Sequence, residues 1–257
     1  MLEVITHKEI EIYKPILIYG VGGGMGNVAK LVGRKIIKTF KAKLYSTYLI
    51  DAFPDIVYSD KKGVLRVLKL DLYYFNFKNR DFLVLYGDVQ PNAQPLDVPA
   101  RFTFSRAFLK FLKENNSKLI ISVGGYGIEI EPEDPKLYFA ANNKKVLRRL
   151  KKILKEDFNL YTENNIVGLS GLLVSLARFY KIPAFITLAE TYPTININGY
   201  LGAKKIIESL NKLFGFNIEL KDYEEKGKKV RESILKHIKY AKGRKPPEKR
   251  KDIYYFG

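Results

Sequence analysis

KPILIYGVGGGMGN, residues Lys14 to Asn27, begins as an uninterrupted apolar run and ends in a cluster of glycines. Two later segments repeat the design: Asp81–Gly87 reads DFLVLYG and Lys118–Gly125 reads KLIISVGG. A strand that is apolar without alternation is covered on both faces, the condition of a central strand in an α/β sheet. Longer segments with helical spacing lie between these runs, so βαβ units stacked on a mostly parallel sheet are predicted. Strands are expected at Ile16–Tyr19, Ala42–Leu49, Phe82–Gly87, Leu119–Val123, Asn165–Val167 and Ala184–Leu188. Helices are expected at Asn27–Phe40, Ala100–Asn115, Lys145–Lys155, Gly171–Tyr180 and Gly199–Phe214. The fold class this implies is α/β, in three layers α/β/α.

Outward from that frame, VYSDKKGVLRVLKLDLYYFN, between Asp55 and Phe77, reads as a hairpin turning at Ser59–Gly63, with antiparallel strands at one edge of the sheet. From Asp222 the character changes. Val230, Ile234, Leu235 and Ile238 form a helical stripe on charged ground. GRKPPEKRKD, residues 243–252, combines Gly, two prolines and many charges, and reads as an extended linker ending in IYYFG. The expected organisation is an α/β/α domain over residues 1–220, a basic helical extension over 221–242 and a flexible tail over 243–257.

Composition narrows the chemistry. The chain has 257 residues, 46% of them hydrophobic, with 16 Phe and 18 Tyr, so a large core can form without a metal or disulfides. There is no Cys, and the two histidines, His7 and His237, lie far apart. A structural zinc site, an iron–sulfur cluster and a Cys nucleophile are therefore excluded. The first fourteen residues mix charge with apolar residues and lack a signal-peptide core, and no run approaches the ~18 apolar residues of a membrane span. A cytoplasmic location with no membrane partner is expected. Abundant Lys, Ile and Tyr with two Met suit a heat-adapted cell.

The formal charge is +18, which predicts attraction to an acidic partner. Much of it is local: from Lys221 to Asp252, thirteen Lys or Arg stand against six Asp or Glu, a net of +7. KKVLRRLKKILK, Lys144 to Lys155, is a second basic block with apolar residues at helical spacing, read as a surface helix with a solvated basic face. Aromatic residues near the C-terminus gather at the extreme end rather than among the lysines, so a stacking platform for nucleic acid is not indicated.

The glycine loop Gly20–Gly26, with Asp51 ending the second strand, invites a dinucleotide-binding reading. The spacing fails: counted from Gly20 the sixth position is Met25, counted from Gly22 it is Asn27, and no P-loop lysine follows. A tight strand-to-helix turn fits better. Gly87–Pro91 (GDVQP), Gly124–Gly127 (GGYG) and Gly168–Gly171 (GLSG) are each expected to follow a strand, and therefore to gather at the C-terminal edge of the sheet. Ser170 with Asp88 or Glu190 could be drawn as a nucleophile and its acid, but no histidine lies near and GLSG is not a nucleophile elbow. Asp88, Glu129, Glu131, Glu133, Asp134 and Glu190 could supply magnesium ligands. Nothing in their spacing selects a pair, and a solvated acidic rim is expected instead.

Taken in order, the glycine loop, FPDIVY, GDVQP, GGYG, IVGLSGLL at Ile166–Leu173 and the helix GAKKIIESLNKLFG resemble the proteasome assembly chaperone family of archaea and eukaryotes, in particular archaeal members similar to the second eukaryotic chaperone. The resemblance spans Lys14 to Phe216. It implies a non-enzymatic, homo-oligomeric protein, without cofactor or metal, that docks on the twenty-S proteasome or its α subunits. A ring of copies or a paralogous partner is compatible with it. Family members often end in hydrophobic, Tyr, any residue, a tail that inserts between α subunits. Here the end is Tyr255-Phe256-Gly257, with Phe in the penultimate place. By this resemblance the docking residues are Tyr254, Tyr255, Phe256 and Gly257, assisted by Lys249, Arg250 and Lys251. Some members carry ATP-grasp labels, so the alternative is a nucleotide-dependent enzyme using the Gly20–Gly26 loop.

Overall fold

The computed structural model describes residues 2–91, 100–162 and 165–242. The chain enters as β1 (Leu2–Thr6) and β2 (Ile16–Val21), then α1 (Val28–Thr39) and β3 (Lys43–Ile50). A small hairpin follows, β4 (Val57–Ser59) and β5 (Leu65–Val67), and then a long one, β6 (Leu70–Phe77) and β7 (Arg80–Gly87). α2 (Ala100–Glu114), β8 (Leu119–Gly127), β9 (Leu137–Ala141), α3 (Lys144–Leu154) and β10 (Asn159–Leu160) continue the chain. It finishes through α4 (Leu169–Leu176), β11 (Ala184–Thr191), α5 (Tyr200–Phe214) and α6 (Lys221–Lys242).

Nine strands form one sheet in the order β1-β3-β6-β7-β2-β8-β11-β9-β10. The central four, β7, β2, β8 and β11, run parallel. They are the strands with continuous apolar runs, and every residue of β2 is buried. Helices cover both faces: α1, α3 and α5 pack together on one, with α6 against α5, and α2 pairs with α4 on the other. The second face is sealed by aromatic contacts, in which Phe104 and Phe108 of α2 stand edge-on to Tyr48 of β3, each at 5.6 Å. Phe40, Phe75, Phe82 and Phe216 form a matching stack and edge cluster at the end of α1. Burying such rings adds to the apolar driving force of a core made mostly of Ile, Leu and Val.

Antiparallel strands at one edge were expected from residues 55–77, but the hairpin β4–β5 forms its own two-stranded sheet. The antiparallel edge is made by β1, β3 and β6, of which β6 comes from those residues. β6 turns into β7 through Lys78 and Asn79, both left-handed at φ 51 and 56. That two-residue geometry matches the twist of the flanking strands. The strand expected at Asn165–Val167 is irregular chain, and Val167 is 82% exposed. Three residues carrying only two apolar side chains have no sheet position to fill once β11 has paired with both β8 and β9. The helix beyond begins at Leu169, not Gly171.

Candidate functional site

β2 pairs with β8 only from Ile16/Leu119 to Tyr19/Ser122. Beyond that point β2 stays with β7 as far as Val21/Gly87, and β8 stays with β11 as far as Gly127/Thr191. The sheet therefore splits at the C-terminal ends of its parallel strands, where α/β folds place ligands. A crevice of about 510 Å³ opens there, floored by the glycines of β8 and walled by Gln90, Tyr126, Val167, Ser170 and Ile195. GDVQP, GGYG and GLSG, scattered in sequence, are thus brought to one place, although GLSG reaches it without a preceding strand.

The glycine loop is held down against this edge by its own protein. Gly22 N–H donates to the Gly87 carbonyl at 2.9 Å, Gly26 N–H to that of Thr194 at 2.9 Å, and Asn27 Nδ2 to that of Ile195 at 2.6 Å. Gly26 sits at φ 59, and a Cβ there would collide with the Thr191 side chain. Gly125 is equally constrained, since a Cβ would strike the Met25 carbonyl. These glycines permit close backbone packing. A phosphate cradle needs amides turned outward to solvent, and those of Gly22 and Gly26 are spent on internal carbonyls. Asp88, at the shoulder, is ion-paired with Lys30 at 2.8 Å.

One side chain ties two of the motifs together. Gln90 Oε1 accepts from the Leu169 N–H at 2.8 Å, satisfying an amide at the start of α4. Gly168 takes φ 110 beside it. Ser170 lines the crevice, but His7 bonds to Thr47 and His237 to the Ser233 carbonyl, and neither lines it. No charged side chain among the described residues lines the crevice. It can hold a molecule by shape and neutral hydrogen bonds, with no base or acid aimed at it.

The acidic residues do not converge. Among the described residues, no group of three or more His, Cys, Asp or Glu could hold a metal ion. Glu133 pairs with Arg231 at 2.9 Å, Asp134 with Lys205 at 2.6 Å, and Glu190 accepts from Lys136 N–H and Tyr138 O–H. The expected solvated rim is corrected at Glu131, which is fully buried. Its carboxylate accepts from the Gly202 N–H at 2.9 Å, the Leu201 N–H at 3.4 Å and the Thr191 hydroxyl at 3.0 Å. Glu131 thus caps α5, whose own first residues offer no capping side chain. Burial pushes its carboxyl up to about 7, against the opposing pull of these hydrogen bonds.

α6 is fastened along its first half. Tyr223 is buried and donates its hydroxyl to the Leu31 carbonyl at 2.8 Å, and burial drives its acidity down and its pKa upward. Arg231 Nε donates to the Glu131 carbonyl at 3.1 Å. Beyond it, Ile234, Leu235 and Ile238 are only half-buried. The docking residues expected at Lys249, Arg250, Lys251, Tyr254, Tyr255, Phe256 and Gly257 lie outside the described residues. No described helix is long and apolar enough to cross a membrane.

Three comparisons bear on this arrangement. The model of the PAC2 family matches residues 23–238. The uncharacterized protein MJ1210 of Methanocaldococcus jannaschii is 26% identical over 271 residues, covering 100% of this chain and 99% of that one. Among solved structures, Pyrococcus furiosus PbaB, described as an archaeal proteasome activator, is similar with a TM-score of 0.84 and 25% identity over 93% of this chain and 98% of its own. Pyrococcus furiosus PbaA, described as an archaeal homolog of proteasome-assembly chaperone, reaches a TM-score of 0.73 at 18% identity, over 94% of this chain and 93% of its own, and supports the fold.

Proposed function

The chain belongs to the PAC2 family, and from that premise we propose that it is a proteasome-binding assembly chaperone or regulator that acts by docking and makes or breaks no bond. The observation that carries this reading is the likeness, along nearly the whole of both chains, to a protein described as an archaeal proteasome activator.

In this reading several copies assemble, and each presents its C-terminal tail to the α ring of the twenty-S particle. The rings of Tyr254, Tyr255 and Phe256 fill an apolar cleft between α subunits, and the terminal carboxylate of Gly257 pairs with a lysine there. Lys249, Arg250 and Lys251 draw the tail toward an acidic surface. Fifteen residues follow the last residue of α6, Lys242, enough chain to reach beyond the body. Phe256, in a place where Tyr would add a hydroxyl, makes each contact weak, and several tails on one assembly restore the strength through effective concentration. The test is capture of purified proteasome α subunits by the full chain and by a version ending at Asp252. Capture by the full chain alone is expected. Equal capture by both would move the contact to the folded body, and capture by neither would overturn the reading.

A further inference from the structure

Among the described residues, no other helix or strand packs closely on the hairpin β4–β5. Its six strand residues are all exposed, and it shares no hydrogen-bonded edge with the nine-stranded sheet. The register pairs Val57 with Val67 and Ser59 with Leu65, so the pleat puts Val57, Leu65 and Val67 on one face. Tyr58 and Arg66 stand on the other, flanked by Ile56 and Val64. These six large apolar residues are 49% to 67% exposed.

The turn, by contrast, is built firmly. Asp60 Oδ1 accepts from Lys62 N–H at 2.8 Å and Val64 N–H at 3.1 Å, and Oδ2 meets Arg66 at 3.1 Å. A two-stranded hairpin with no covered face is only marginally stable in water. A well-made turn on uncovered apolar strands therefore calls for a covering surface that the described residues do not supply.

Charge identifies that surface. The chain carries +18, yet residues 51–68 hold three acids (Asp51, Asp55, Asp60) and three bases (Lys61, Lys62, Arg66), a net of zero. A surface meant for an acidic partner would be basic, whereas two copies of a strongly basic chain can approach only where the charge is cancelled. Interface cores are also depleted of charge and rich in large apolar residues. The two faces of the arm together expose apolar area on the order of 500 Å², comparable to the largest patches a monomer leaves uncovered; the face of Val57, Leu65 and Val67 supplies about half of it, so the neutral residues beside it must complete the roughly 1,000 Å² a specific interface requires.

We propose that the β4–β5 arm, through Val57, Leu65 and Val67, is the surface by which this chain associates with a second copy of itself, arm against arm. The assignment rests on the oligomer put forward above and names the face that forms it. Because the same patch serves both copies, the contact is two-fold and self-complementary.

Sedimentation velocity on the full chain tests it, alongside Leu65→Asp/Val67→Asp and a milder Val57→Ser/Leu65→Ser/Val67→Ser variant. These side chains are exposed in the monomer, so both variants should keep the wild-type circular dichroism, and their melting temperature should fall only by what association adds to the wild type. The expected result is an assembled wild type, an aspartate variant sedimenting as a single chain, and a serine variant whose self-association weakens at least tenfold. A wild type and variants with the same assembled mass would overturn the arm while leaving the oligomer intact, and a monomeric wild type would overturn both. A version ending at Asp252 should stay assembled; its dissociation would give the covering role to the tail and refute the proposal.

Discussion

Replacing Glu131 by Gln should change how stability depends on pH. The carboxyl is fully buried and tied to Gly202, Leu201 and Thr191, and burial lifts it from 4.5 to about 7. The native state therefore binds this proton more tightly than the unfolded chain does. For a carboxyl with a raised native pKa, the stabilisation is complete below the unfolded value and is lost as pH rises through the native one. Between pH 5 and pH 8 the ionising native carboxyl should cost roughly 3 kcal/mol. Gln keeps an oxygen for the Gly202 amide and the Thr191 hydroxyl, which share one carboxylate oxygen, gives up the longer 3.4 Å contact with the Leu201 amide at every pH, has no charge to bury, and removes that slope. At roughly 2 to 4 °C per kcal/mol for a chain of this size, the melting temperature of Glu131→Gln minus that of the wild type should rise by about 6 to 12 °C from pH 5 to pH 8. Every other titrating group is common to both proteins and cancels in the difference. Two parallel curves across that range would refute the claim that burial at this position governs the proton.

Three further outcomes are expected. Gln90→Ala leaves the Leu169 amide at the start of α4 without its acceptor; it should cost about 1 kcal/mol, with faster hydrogen exchange confined to that helix. Tyr223→Phe removes the bond to the Leu31 carbonyl while keeping the ring, at a cost of about 1 kcal/mol. Tyr223→Ala removes the buried ring as well and should cost about 3 to 5 kcal/mol; guanidinium titration separates the two. Phe256→Tyr restores the penultimate hydroxyl of the proposed docking tail, and should tighten capture of proteasome α subunits severalfold in surface plasmon resonance, whereas weaker capture would count against the tail's proposed mode of insertion.

The central strands could be read in the sequence because a strand covered on both faces leaves a continuous apolar run, as β2 does. The outermost strands, β1 and β10, could not. β1 has four exposed residues in five and carries no pattern of burial. The β6–β7 turn uses Lys78 and Asn79, with no glycine to announce its left-handed backbone. At the crevice the motifs were visible singly, but the bond from Leu169 to Gln90 joins residues 79 apart and depends on the tertiary fold. Nothing in EIEPED, Glu129 to Asp134, distinguishes the buried Glu131 from its exposed neighbours. The signal lay elsewhere: α5 begins at Gly199 and Tyr200 without a Ser, Thr, Asp or Asn at its cap, so the acceptor for its first amides had to come from another part of the chain.

These internal bonds bear on how such a molecule can act. At the sheet edge where α/β proteins usually keep their chemistry, the glycine loop, Gln90 and Glu131 are each engaged with their own backbone. Among the described residues the neutral apolar arm stays uncovered, and the sequence adds a surplus of +7 between Lys221 and Asp252. The two suit different partners, because cancelled charge favours contact between like copies and surplus charge favours an acidic target. Under the proposed function they are also coupled. The arm sets how many tails one assembly presents, and weak tails bind in concert only when they are held together. Breaking the arm should therefore weaken proteasome capture without altering a single tail residue, and the loss should be regained when single chains are crowded onto a surface.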